Sequence, residues 1–280
     1  MMKKFFFGAI LFSMLFFVSC QKEIDWGLAA NSTADLLIKA VQVTPSTNDT
    51  NTITFQWNAN RRLLVYKSAG KVNGAATDIL HTISRQADGK IAKIVTTSSL
   101  TAGFLDSTVY FPFYQTGSSK LSYVIDSQYT IIGTIMDSII YSYNGSQVIS
   151  KEIFTDLFGF LVPTGKQVYT YDGNGNITVV TDSVPNGAGG YDLGSTATYT
   201  YDSHRSMVTL GEETFIVLDP VNVCKNNFTK QVINDATGAN TSTTTGSQFQ
   251  FNAVDRPIKF TLSVTPQPPG YDTKMTMYYQ

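Results

Sequence analysis

Apolar and polar positions alternate with period two along most of this chain. Ile53, Phe55 and Trp57 interleave with Thr52, Thr54 and Gln56. Ile258, Phe260, Leu262 and Val264 interleave with Lys259, Thr261 and Ser263, and Ile139, Tyr141 and Tyr143 follow the same rule. Such alternation marks strands with one apolar and one polar face. Helical spacing is nearly absent. Ser32 to Val41 reads as a short helix or as a first strand, and Met275 to Gln280 reads as a last one.

The strands are punctuated by a recurring turn. The stretch YTYDGNGNITVV, Tyr169 to Val180, brings alternating aromatics into Asp-Gly-Asn-Gly-Asn and alternating aliphatics out. An aromatic or apolar lead residue, a polar turn and an aliphatic residue about six positions later recur with leads at Trp57, Arg85, Ile125, Tyr143, Tyr171, Tyr201 and Phe251. Gaps of 28 to 30 residues hold two strands and two connections, and the irregular gaps show a degenerate repeat. Asp172 to Asn176 therefore reads as a hairpin turn. A calcium loop needs converging oxygens and an anchoring acid downstream, and here the next acid, Asp182, comes a full strand later. Ser183 to Gly194 and Asp235 to Gly246 read as longer connections.

The N-terminus follows another pattern. Lys3-Lys4 precedes an apolar run, Phe5 to Val18, too short for a spanning helix of about 20 residues but suited to a secretory signal. Cys20 follows it directly, as in the lipobox of bacterial lipoproteins. That resemblance implies cleavage before Cys20 and its acylation, giving a signal peptide at 1–19, a lipid-anchored tether at 20–34 and a single domain at 35–280. Gln21 in place of Asp argues, by the same resemblance, for the outer membrane. Glu23 and Asp25 fit export to the cell surface, and a periplasm-facing attachment stays open.

Composition narrows the classes. Charged residues are 15% and net charge is −1, so no basic face for nucleic acid is implied. Aromatics at 12%, with abundant Thr, Ser, Asn and Gly, suit strands and turns. With Cys20 acylated, Cys224 has no partner for an intrachain disulfide, and it reads as a small buried apolar residue.

The hairpins, with their Y-x-Y-D/N-x-x-G-x-I/L signature, resemble a family of Bacteroidetes lipoproteins with a porin-like β fold. They also resemble the tyrosine–aspartate repeats of shell-forming bacterial toxins. The first resemblance implies an all-β protein, a large antiparallel meander of repeated hairpins curled or closed into a barrel-like shape. It implies no activity and carries over no functional residues.

No catalytic or metal motif stands out. There is no nucleophile elbow, P-loop, C-x-x-C or H-E-x-x-H. The two histidines, His81 near a strand start and His204 in a turn, show no zinc-ligand spacing. Glu152 with Glu212 or an Asp could form a glycosidase pair, but scattered surface charge explains them more simply. Trp57, Tyr143, Tyr171, Tyr201 and Phe251 share equivalent positions. They form either a buried aromatic ladder or, if exposed, a face for glycans or peptides. The expectation is a non-enzymatic lipoprotein without cofactor, held to the membrane through Cys20, with a soluble β domain that binds or scaffolds a glycan or protein. The alternatives are an envelope glycan hydrolase and an integral outer-membrane barrel. Strands that read as 6 to 8 residues argue against the barrel, whose strands need about 9–11.

Overall fold

The structure is a computed structural model describing residues 34–72, 74–99, 104–208, 214–217, 224–266 and 272–280. The signal segment, Cys20, the tether up to residue 33, and Glu212 lie outside the described residues. Sixteen strands are described: β1 Leu37–Thr44, β2 Asp49–Trp57, β3 Leu63–Val72, β4 Ala75–Arg85, β5 Ile91–Ser98, β6 Leu105–Tyr114, β7 Leu121–Thr130, β8 Gly133–Asn144, β9 Gln147–Leu157, β10 Phe160–Tyr171, β11 Ile177–Pro185, β12 Tyr191–Arg205, β13 Asn226–Asp235, β14 Asn240–Phe251, β15 Pro257–Thr265 and β16 Thr273–Tyr279. One four-residue helix, α1, spans Thr214–Val217.

Each strand pairs antiparallel with its neighbours in sequence, and β1 pairs with β16, closing a barrel. Closure removes the exposed strand edges that an open meander would leave. The turns at one end share a geometry. Asn58, Gln86, Asp172 and Asn252 donate their backbone N–H to the carbonyls of Arg62, Lys90, Asn176 and Arg256, at 2.8–2.9 Å. In the opening stretch, Gly175 has φ 87° and Asp172 accepts from the N–H of Asn174 and Asn176, so the acidic centre holds its own turn.

The repeat has a second function, which joins one hairpin to the next. The aliphatic residue after each turn is almost fully buried: Leu63, Ile91, Leu121, Val148, Ile177 and Ile258 are all at 3% exposure or less. The lead side chain of the following unit reaches back to that residue's backbone. The Tyr171 hydroxyl donates to the Val148 carbonyl at 2.7 Å, and Tyr201 to Ile177 at 2.6 Å. Trp57 donates to Leu37, Arg85 to Leu63 and Tyr279 to Pro257, while Tyr114 and Tyr143 accept from the N–H of Ile91 and Leu121. This end of the barrel is thereby drawn into an apolar floor laced by polar side-chain tips.

Several sequence expectations need correction. Strands run 7 to 15 residues, and most exceed 8. Tight turns replace much of the polar sequence read as connections: β11 runs to Pro185 and β12 resumes at Tyr191, while Thr241 to Gly246 belong to β14. Strand length therefore does not argue against spanning a membrane. Ile125-Asp126 is not a turn lead but mid-strand in β7, and the true unit is Tyr114 to Leu121. Asp126 mimics a turn acid in sequence because polar residues also line the lumen.

The two faces of the sheet differ. The lumen face carries Ile94 and Val124 at 0% exposure and Tyr141 at 5%, so side chains fill the barrel at that height. The β12–β13 connection adds α1: Phe215 packs edge-on against Tyr169 at 5.3 Å, its carbonyl accepts from Tyr141, and Ile216 is buried. The outer face is divided. Strands β1–β4 and β13–β16 present Lys39, Lys67, Lys71, Lys230, Lys259 and Lys274 among threonines and serines. Strands β6–β10 present the exposed Phe113, Tyr123, Met136, Ile140 and Leu161.

Candidate functional site

Above the apolar floor, the lumen face turns polar. Asn51 donates to Ser68 at 2.9 Å and accepts from Thr77. Gln167 donates to Asp182 at 2.5 Å, and the Tyr169 hydroxyl donates to Gln167. His81 bonds Thr96 at 2.7 Å, and burial lowers its pKa to about 4, which keeps the imidazole neutral at physiological pH.

A carboxylate pair stands out within this network. Asp126 and Asp137 face each other across β7 and β8 in direct register. Asp137 accepts from Gln128 at 3.1 Å and from Thr155 at 2.6 Å. Asp126 is 8% exposed, and its Oδ1 is buried with no hydrogen-bond partner. Burial, then the Asp137 charge, pushes its pKa up to about 7, and burial with the same two charges pushes Tyr110 up to about 12.

A second cluster lies at the floor end, where β1 begins. Arg61 comes from the β2–β3 turn, Arg205 from the end of β12, and Arg256 from the β14–β15 turn. They surround a cleft of about 240 Å³ walled by Leu37 and Trp57, with Asp35 in it. Arg61 bonds Asp35 Oδ1, and Arg205 lies 3.6 Å from Oδ2. Arg256 is 3% exposed and donates to the Ser206 carbonyl. Burial alone would raise the Asp35 pKa. The Arg61 hydrogen bond and the charges of Arg61, Arg256 and Arg205 outweigh it and hold the carboxyl below its usual range. Burial, then the charge of Arg205, lowers the Arg256 pKa.

Of the residues singled out in sequence, Trp57, Tyr143, Tyr171 and Tyr201 lie half-buried on the lumen side of the floor, their polar tips engaged with neighbouring hairpins. Phe251 stacks on His204 at 3.8 Å, and His204 bonds Asp255 at 2.5 Å. Cys224 is buried, with its Sγ accepting from the Ile177 N–H and lying 3.4 Å from the Tyr201 hydroxyl. Glu152 pairs with Lys166 at 2.7 Å on the outer face. Among the described residues, no cluster of three or more His, Cys, Asp or Glu could hold a metal. The arginine cleft escaped sequence reading because its members lie up to 221 positions apart (35 to 256). Only the paired Arg61-Arg62, inside a turn, hinted at it.

No protein-family model and no curated protein sequence matches the chain. Solved structures do. A porin-like protein from Bacteroides uniformis ATCC 8492 superposes with TM-score 0.52 at 13% identity, covering 90% of this chain and 100% of that one. A porin-like protein from Bacteroides vulgatus ATCC 8482 gives TM-score 0.53 at 10% identity, covering 87% and 98%. The fold is porin-like. A Photorhabdus luminescens Tc holotoxin pore matches at TM-score 0.29 over 10% of its chain, too low to bear on the fold.

Proposed function

We propose that this protein is a lipid-anchored component of the cell envelope. Its barrel stands in water at the outer membrane and serves a non-enzymatic binding or scaffolding role. The observation that carries the reading is the outer face of β1–β4 and β13–β16. A lysine facing lipid at the bilayer midplane costs about 2–4 kcal/mol. Lys67 and Lys230 face outward from mid-strand and Lys259 from nearer the floor end, so immersing this side would cost several kcal/mol, with Lys259 contributing least. The filled lumen supports the same reading, since an open pore needs a continuous water path that Ile94, Val124 and α1 obstruct. Acyl chains on Cys20 would supply the attachment.

The second reading is an integral outer-membrane barrel. The apolar outer residues of β6–β10 favour it, with Phe158 fully exposed and Ile132 at 78% beside them in the opposite turns. That surface covers part of the circumference, whereas a spanning barrel needs an apolar band all round.

Detergent-free purification of the Cys20→Ala chain separates the two. The first reading expects a monodisperse protein that adds no conductance steps to planar bilayers. Aggregation without detergent, or stepwise conductance, would sink it.

A further inference from the structure

We propose that the apolar turns at the end of the barrel opposite the floor dip into the interface of a lipid bilayer, so that the barrel rests rim-first on the membrane. Such contact presupposes the lipid-anchored barrel proposed above, whose wall stands in water. Three successive connections at that end carry the apolar side chains. Phe104 precedes β6, Ile131 and Ile132 join β7 to β8, and Phe158 lies with Phe160 and Leu161 around the β9–β10 turn. Phe158 is fully exposed, and the other five are all at 55% exposure or more. The Ile131 N–H donates to the Phe104 carbonyl at 3.1 Å, which ties two of the connections into one surface.

Two features fit this end to lipid rather than to a protein partner. The first is the Phe158–Gly159 turn. Its residues have φ of 57° and 87°, as a two-residue turn between antiparallel strands requires, and Asn-Gly is the sequence that suits such a turn. A bulky phenylalanine is strained in that backbone region. Here it also packs against nothing, so it weakens its own turn and adds nothing to the core. The second feature is the loss of alternation. Phe160 and Leu161 are consecutive strand residues and point to opposite faces of the hairpin, yet both are apolar and exposed. A flat protein surface would cover one of those faces. A fluid acyl region surrounds both.

Charge sets the depth. In segments 104–106, 129–134 and 155–164 the only charged residues are Asp106 and Asp156. Asp156 accepts from the Gly159 N–H at 2.7 Å and lies two residues, or about 7 Å, from Phe158 at the apex. A carboxylate at that level holds the turn in the interfacial zone, about 5–10 Å deep, where membrane-surface proteins place their apolar faces. With no Lys or Arg in these segments, contact should not require anionic lipid. The tether also reaches. Cys20 and Asp35, at the floor end, are 15 positions apart (35 minus 20), at most about 50 Å when extended. The 12-residue β10 is about 40 Å long, and shorter along the barrel axis once tilted. Acyl chains on Cys20 can therefore enter the bilayer that the opposite rim touches.

The test uses the Cys20→Ala chain, so that no acyl chain contributes. Sedimentation with phosphatidylcholine vesicles reads binding, and a carbonate wash of the pelleted vesicles reads its depth. The expected result is binding that the wash removes. Phe158→Asn with Ile132→Ser should lower partitioning onto the vesicles about tenfold or more. Phe158→Asn alone should leave the urea midpoint unchanged or raise it, because Asn-Gly suits the turn. Phe158→Trp should add quenching by brominated phosphatidylcholine beyond that of the parent chain, whose Trp57 lies at the floor. A soluble chain that ignores the vesicles, or binding that the paired substitutions leave unchanged, would overturn the rim contact and leave the barrel in water. Dimerisation in light scattering without vesicle binding, abolished by the same pair, would overturn it in favour of a second copy. Binding that resists carbonate would overturn the rim contact and the water-standing barrel together.

Discussion

Replacing Asp126 with Asn should stabilise the barrel, and the gain should grow with pH. Asp126 is an acid whose folded pKa is about 7, against 3.8 for an unperturbed group. The folded state thus holds a proton that the unfolded chain releases. This contribution is fully present below the unfolded value and is lost as pH rises through the folded one. Each pKa unit corresponds to about 1.4 kcal/mol, so the whole span is about 4 kcal/mol, of which about 2.5 falls between pH 5 and pH 8. Water reaching the polar lumen screens part of the charge, leaving about 1–1.5 kcal/mol as the expected change. Asn keeps the shape of the protonated acid and removes the like charge facing Asp137. Reversible urea unfolding of both proteins at the two pH values is the assay. With a slope of about 2–3 kcal/mol per molar urea, the variant's advantage in midpoint should grow by about 0.5 M from pH 5 to pH 8. His81, held neutral by burial, destabilises both proteins below its ordinary value and cancels in the difference. A midpoint difference that stays constant with pH, or a variant less stable at pH 8, would refute the reasoning.

Other expectations concern the floor and the sheet. Tyr171→Phe leaves the Val148 carbonyl without its hydroxyl donor and should cost about 1–2 kcal/mol in urea unfolding, with the barrel's circular dichroism unchanged. Gly70→Ala should cost about 3 kcal/mol or prevent folding, because Gly70 has φ +146° and an added Cβ would lie 2.1 Å from the Thr50 carbonyl oxygen. Ile177→Ala empties a fully packed position of the floor and should cost about 3–4 kcal/mol. Lys166→Ala, which breaks the outer-face pair with Glu152, should move the midpoint by less than about 1 kcal/mol equivalent.

The meander was legible because period-two alternation and turn chemistry act locally. Ile53, Phe55 and Trp57 declare their face within five residues, and Asp172 to Asn176 declares its turn within five more. Closure rests on one pairing, β1 with β16, whose partners lie more than 230 positions apart, so only the family resemblance pointed to it. The repeat misaligned at Ile125-Asp126 because an acid lining the lumen and an acid capping a turn look alike in sequence. Tyr114 and Tyr279 were missed as unit leads for a related reason: their defining bond is to the neighbouring hairpin, not to their own turn. The arginine cleft was invisible because its side chains meet only when two turns and the end of β12 converge at the floor.

The central claim, that the barrel stands in water and a lipid alone holds it, is tested most directly by fractionating cells that make the natural chain or Cys20→Ala. Membranes are washed with carbonate or urea before the protein is located. The account expects the natural chain to resist washing and the Cys20→Ala chain to be soluble. A Cys20→Ala chain that folds and still resists extraction would mean that the strands themselves lie in the bilayer.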